Sequence, residues 1–186
     1  MPTITTPRAT IDDLYKVEGK AELIGGRIVP IASGHLPSVV AGNIFAELRL
    51  YAKSTQNGIA YSDGMGFTVP ELPSGRESFS PDAAYYDGPL PTNLMRFVEG
   101  PPTCAIEVRS ENDYGAAAED AMAAKRDDYF AAGTKVVWDV DPQAETVAVY
   151  RASDPTHPAV YRRGDVAEAE PAVPGWRVNV SDIFAS

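Results

Sequence analysis

The stretch that most constrains this chain is residues 101–142, PPTCAIEVRSENDYGAAAEDAMAAKRDDYFAAGTKVVWDVDP. Apolar runs at 104–108 and 136–140 flank a segment with helical periodicity. That order reads as a βαβ unit, whose two strands pair in parallel through a right-handed crossover. At about 100° per residue, Tyr114, Ala118, Ala121, Met122, Tyr129 and Ala132 share one helix face, and Glu119, Ala123, Arg126 and Asp127 share the other. Lys125 falls near the middle of the apolar stripe. An unpaired buried ammonium is costly. Lys125 must therefore snorkel out along its methylenes or meet a carboxylate or an anionic ligand, and Glu107 on the preceding strand offers such a carboxylate.

The chain's 186 residues fit a single domain over 1–186 with a full core, preceded by a flexible arm over residues 1–10. Its net charge of −10 argues against a protein that coats nucleic acid non-specifically, because such binding draws on many Lys and Arg contacts to phosphate. A nuclease with a local basic rim remains compatible. No run approaches the roughly 18 apolar residues of a membrane span, and the first residues lack a basic segment followed by an apolar one. A cytoplasmic protein with no membrane partner is expected. Cys104 is the only cysteine, which excludes an internal disulfide and a cysteine-rich zinc site; within an apolar strand it reads as a buried, inert thiol. His35 and His157 show no metal-ligand spacing.

Along the chain, residues 11–16 suit one or two helical turns. Two short extended runs around Gly25-Gly26 predict a hairpin, with Glu22 on its first arm as a solvated strand residue or a functional one. A helix is expected over 37–56, opened by Pro37 and closed by Asn57-Gly58, with His35 just before it in a capping or surface position. Residues 59–69 read as one or two strands and 71–80 as a loop. A short strand from Pro81 carries Asp82 as its second residue. Residues 88–102 read as a surface loop. Beyond the helix, Ala132-Gly133 is a C-cap signal. The strand at 136–140 forms a hairpin with 146–150, further strands lie at 159–161 and 176–180, and the acidic segment 165–170 reads as a loop.

Asp82 at one strand start, Glu107 in a core strand and Lys125 on the next helix make a constellation. Two converging carboxylates form a hard-oxygen site suited to Mg²⁺ or Mn²⁺. Such an ion polarises a phosphodiester and lowers the pKa of a bound water, while a lysine orients that water or offsets charge developing on phosphate. On spacing alone, a purely structural Glu107–Lys125 ion pair explains the same residues and is the more common case.

At these residues the chain resembles a known family. Pro81-Asp82, Glu107-Val108-Arg109-Ser110, Lys125 with Tyr129 and Ala132-Gly133, and Val137-Trp138-Asp139-Val140-Asp141-Pro142 are similar to the "putative restriction endonuclease" family of the PD-(D/E)XK nuclease superfamily. The resemblance extends to Glu22-Leu23-Ile24-Gly25-Gly26, to His35 and to Pro174-Gly175-Trp176 with Asp182-Ile183-Phe184. It rests on the order and spacing of these motifs together. It implies an α/β fold, a restriction-endonuclease-like mixed sheet flanked by helices, here with extra N-terminal and C-terminal β-hairpins. It also implies phosphodiester hydrolysis with Mg²⁺ or Mn²⁺ as cofactor and DNA as substrate. Asp82 and Glu107 become metal ligands, Lys125 the catalytic lysine, and Glu22 a further acidic residue of the site. The superfamily's usual lysine position, two residues after the second acid, holds Arg109. Arg109 and His35 are then candidate substrate contacts.

A second class of function is a catalytically silent nuclease-fold protein that binds nucleic acid or a protein partner, suggested by the acidic balance and the lack of a basic cluster. Self-association as a homodimer follows by analogy with nucleases that cut duplexes.

Overall fold

A computed structural model describes residues 7–185 of the chain. The arm expected over residues 1–10 lies mostly outside that range. Its described end is pinned: the Ala9 amide donates to the Gly26 carbonyl at 2.9 Å, and Arg8 pairs with Glu71 at 2.7 Å. Thr10 then caps the short helix α1, Ile11–Leu14. Its hydroxyl accepts from the Asp13 amide while the Asp13 carboxylate accepts from the Thr10 amide, a reciprocal capping box.

The expected N-terminal hairpin is present as β1, Ala21–Ile24, and β2, Arg27–Pro30. Gly25 and Gly26 both have positive φ, 58° and 69°, which a two-residue turn matched to strand twist requires. Helix α2 spans His35–Thr55, two residues earlier than Pro37 suggested, and ends on Gln56 in the left-handed conformation rather than at Asn57-Gly58. After it come β3, Ile59–Ser62; β4, Phe67–Thr68; β5, Ser78–Phe79; β6, Ala83–Tyr86; β7, Val98–Glu99; and β8, Cys104–Val108. Helix α3, Ala116–Ala132, ends at Gly133, whose φ of 113° lets its amide reach the Tyr129 and Phe130 carbonyls. The chain closes with β9, Val136–Asp141; β10, Thr146–Arg151; β11, Asp154–Arg162; β12, Val166–Ala169; β13, Val173–Asn179; and α4, Val180–Ile183.

Six strands form one mixed sheet in the order β11-β10-β9-β8-β6-β3. Only β8 and β9 are parallel in it, as the α3 crossover demands. Alternation along these strands divides the core. Ile106, Trp138 and Val140 pack with Val40, Ile44 and Leu48 of α2, and Trp138 stacks on Trp176 of β13 with ring centroids 4.9 Å apart. On the opposite face Ala105 and Val137 pack with Tyr129 of α3, Phe67 and Phe79. Each fully buried large apolar side chain contributes roughly 2 kcal/mol to holding these layers together.

Three segments expected to be loops contain strands. Segment 71–80 carries β5, and 88–102 carries β7; both pair with β4 in a three-stranded sheet. The acidic segment 165–170 contains β12, paired with β13. Its charge is compatible with a strand because Ala167 and Ala169 point into the core while Glu168 is paired with Arg151. The helix-face reading of α3 also changes. Ala121 is exposed, and Arg126, placed on the face opposite the apolar stripe, turns toward the sheet. Arginine's long stem lets it cross from the helix flank to Asp139.

Candidate active site

Alternation places Ala105 and Glu107 of β8 on the face covered by α3, and parallel pairing sets Glu107 directly beside Asp139 of β9. Asp82 immediately precedes β6, the other neighbour of β8. Its amide donates to the Ile106 carbonyl at 3.0 Å, and its Oδ2 accepts the Val108 amide at 2.7 Å. The first carboxylate is thus fixed to the backbone on either side of the second.

Lys125 comes down from α3 between two acids. Its Nζ lies 2.9 Å from Glu107 Oε1 and 3.0 Å from Glu22 Oε1. Glu22, on β1, is only 3% exposed and is not a solvated strand residue. Its Oε2 accepts from Arg76 Nη1 at 2.5 Å and its Oε1 from the Ser80 amide at 3.0 Å. Arg76 also donates through Nε to Asp128 at 2.9 Å. Tyr129, one turn after Lys125, donates its hydroxyl to Glu107 Oε1 at 2.5 Å. Lys20 reaches Asp82 Oδ1 at 2.6 Å and Asp63 Oδ1 at 2.7 Å. Lys20, Glu22, Asp82, Glu107, Lys125 and Tyr129 line one cavity of about 240 Å³.

Burial pushes the Glu107 carboxyl above the usual carboxylate range, reinforced by Asp82 and Glu22 and opposed by Lys125. Burial works against the charge on Lys125 too, but Glu107 and Glu22 outweigh it and raise the ammonium above its ordinary value. Lys125 is therefore held as a cation. The carboxyl of Glu22 stays below its usual range despite burial, because Lys125 and Arg76 both face it. The Tyr129 phenol is pushed well above its usual range by burial and the Glu107 charge, so it remains a donor.

The expected residues do not all converge. Asp82, Glu107, Lys125 and Glu22 meet as described. Arg109 lies at the cavity wall with its donors committed: Nε and Nη2 grip the two Asp139 oxygens at 2.7 and 2.8 Å, and Nη1 reaches Glu119 at 2.5 Å. Arg126 adds a contact to Asp139 at 3.2 Å. His35 opens α2, exposed and outside the cavity lining. Sequence reasoning passed over Lys20, Arg76 and Asp63. Lys20 carried a usable signal, since it precedes Glu22 by two positions and so shares its side of an extended run. Arg76 carried none, lying in a stretch rich in Pro, Gly and Ser.

A mixed six-stranded sheet with helices on both faces and acids at adjoining strand ends beside a helix lysine is a restriction-endonuclease-like arrangement. Residues 10–181 match the family Uma2, described as "putative restriction endonuclease", and the chain belongs to that family. A crystal structure described as a "putative nuclease belonging to DUF820" from Anabaena variabilis superimposes with a TM-score of 0.73. It covers 94% of this chain and 97% of its own at 19% identity, a likeness of fold. No curated protein matches.

Proposed function

We propose that this protein is a divalent-metal-dependent endonuclease that hydrolyses phosphodiester bonds of DNA. The observation that carries the reading is the meeting of Asp82, Glu107 and Lys125 in one cavity of a chain of this family. Among the described residues, no group of three or more His, Cys, Asp or Glu side chains could hold a metal ion by itself. Two carboxylates nevertheless suit Mg²⁺ or Mn²⁺, because Mg²⁺ sites usually keep several waters and take only one or two protein carboxylates. The donor chemistry also fits. Both acids are hard oxygen ligands, and each is balanced by an exchangeable lysine ammonium.

A divalent ion held by Asp82 and Glu107 would supply Lewis acidity at the phosphodiester and a more acidic water. The protein's own residues do the rest. Backbone bonds at Asp82 fix the spacing of the two acids. Lys125, held charged by Glu22 and Glu107, donates to the attacking water or to a phosphate oxygen as negative charge grows there. Glu22, anchored by Arg76 and the Ser80 amide, keeps Lys125 in place. Tyr129 fixes the orientation of the Glu107 carboxylate. His35 and Arg109 remain candidate substrate contacts at the periphery, although the ion pairs of Arg109 would first have to open.

The reading includes a cytoplasmic location, in keeping with the lone buried Cys104. It also includes a homodimer, for which the outer strands β3 and β11 leave open sheet edges. Among the described residues no helix is long and apolar enough to cross a membrane. The experiment is cleavage of supercoiled, linear and single-stranded DNA with Mg²⁺ or Mn²⁺, comparing the native protein with Asp82→Ala. Metal-dependent cleavage lost in the variant supports the proposal. Cleavage that survives the substitution refutes it, and no cleavage of any form refutes it and favours a silent binding module.

A further inference from the structure

Counter-ion choice in this protein follows position. Glu22 and Asp139 each have an arginine partner, Arg76 for the first, beside Lys125, and Arg109 with Arg126 for the second. Asp82 differs: its charged partner is Lys20. An arginine fork grips a carboxylate at two points, whereas an ammonium is a compact, rotatable point charge. Lys20 occupies Oδ1, while Oδ2 is already committed to the Val108 amide.

The second partner of Lys20 gives it somewhere to go. Asp63 is 45% exposed by side chain, against 10% for both Lys20 and Asp82, so the Lys20 head bridges a buried carboxylate and a more exposed one. Burial opposes the charge on Lys20, but Asp82 and Glu107 more than offset it. A divalent cation on Asp82 would take over the electrostatic task that the ammonium performs.

The geometry points to Lys20 as a displaceable counter-ion of Asp82, competing with a divalent cation for Oδ1 and withdrawing to Asp63 when the cation binds. This rests on the metal-dependent reading given above. Lys20 would thus hold Asp82 in place between turnovers, and set the threshold of metal concentration at which the site loads. The expected consequence is a metal affinity deliberately below what the two carboxylates alone would give.

The test is calorimetric titration of the full chain with Mn²⁺, with no nucleic acid present, for the native protein, Lys20→Met and Lys20→Arg. Lys20→Met should bind Mn²⁺ at least tenfold more tightly than the native protein. Lys20→Arg keeps the charge but replaces the mobile ammonium with a gripping fork, and should bind at least tenfold more weakly. Either variant binding Mn²⁺ as the native protein does overturns the inference. If Lys20→Met does not fold because Asp82 is left unpaired, Lys20→Arg decides alone. Native affinity unchanged in both variants removes this inference while leaving metal dependence intact. An absence of Mn²⁺ binding in all three proteins removes the metal-dependent reading as well.

Discussion

Glu107 and Asp139 stand side by side on parallel strands, face the same helix, and are treated in opposite ways. Asp139 is 5% exposed and held by two guanidinium groups, with Arg109 bidentate and Arg126 stacked over the Tyr150 ring at 4.1 Å. Glu107 keeps a face toward the cavity and is held by a lysine and a tyrosine hydroxyl. Consecutive residues of α3 supply both cations, Lys125 to one acid and Arg126 to the other. Arginine fixes the acid that ties the strands to the helix. Lysine attends the acid proposed to exchange partners. Residue chemistry thus separates an acid locked between two guanidinium groups from the proposed metal ligand a single strand away.

The sharpest way to break this comparison is to remove the two proposed metal ligands. Asp82→Ala and Glu107→Gln should each lower metal-dependent cleavage by roughly a thousandfold, at the upper end of what one transition-state contact supplies, in a steady-state nicking assay. Lys125→Met should lower kcat by about a hundredfold while leaving Mn²⁺ binding in place, since it removes the cation that meets growing negative charge. The structural acid predicts the reverse pattern. Asp139→Asn leaves Arg109 and Arg126 without their shared carboxylate and should cost about 3 kcal/mol in chemical denaturation. Cleavage per folded molecule should stay within a few-fold of native.

Acid stability sharpens the contrast further. The folded-state pKa of Glu22 is depressed, so its contribution is fully present above the ordinary Glu value of about 4.3 and is lost as pH falls through the lower folded value. In denaturation measured with a chelator present, Glu22→Gln should flatten the stability loss in that acid window. The native protein should show the steeper fall. The smallest effect expected is that of Tyr129→Phe, which removes one hydrogen bond to Glu107. Its cost should be about 1 kcal/mol, with a modest loss of activity.

Much of the site was legible in the sequence, for a physical reason: Lys125 violates the apolar stripe of its helix, and such a violation demands a partner. Glu107 was the nearest candidate, and it is a partner. Asp82 stood out as an acid at a strand start, Glu22 came from family resemblance, and the fold brings both to the same cavity. The two glycines of the N-terminal turn and Gly133 announced their conformations through the positive φ that they alone adopt cheaply. The less legible parts share a cause, which is reliance on partners distant in sequence. Arg76 is buried in a segment that reads locally as a loop, because Glu22 and Asp128 receive it. Strands β5, β7 and β12 are short or acidic, and only pairing with β4 or β13 makes them strands. Arg126 reads as solvent-facing by helical angle alone, yet its stem reaches a carboxylate beside the sheet centre.

Crystals soaked in Mn²⁺ and measured for anomalous scattering test the central claim most directly. The account predicts a single strong peak within ligand distance of the Asp82 and Glu107 carboxylates, with Lys125 still on Glu22. A peak elsewhere, or none at saturating Mn²⁺ with both acids still paired to their lysines, would contradict it.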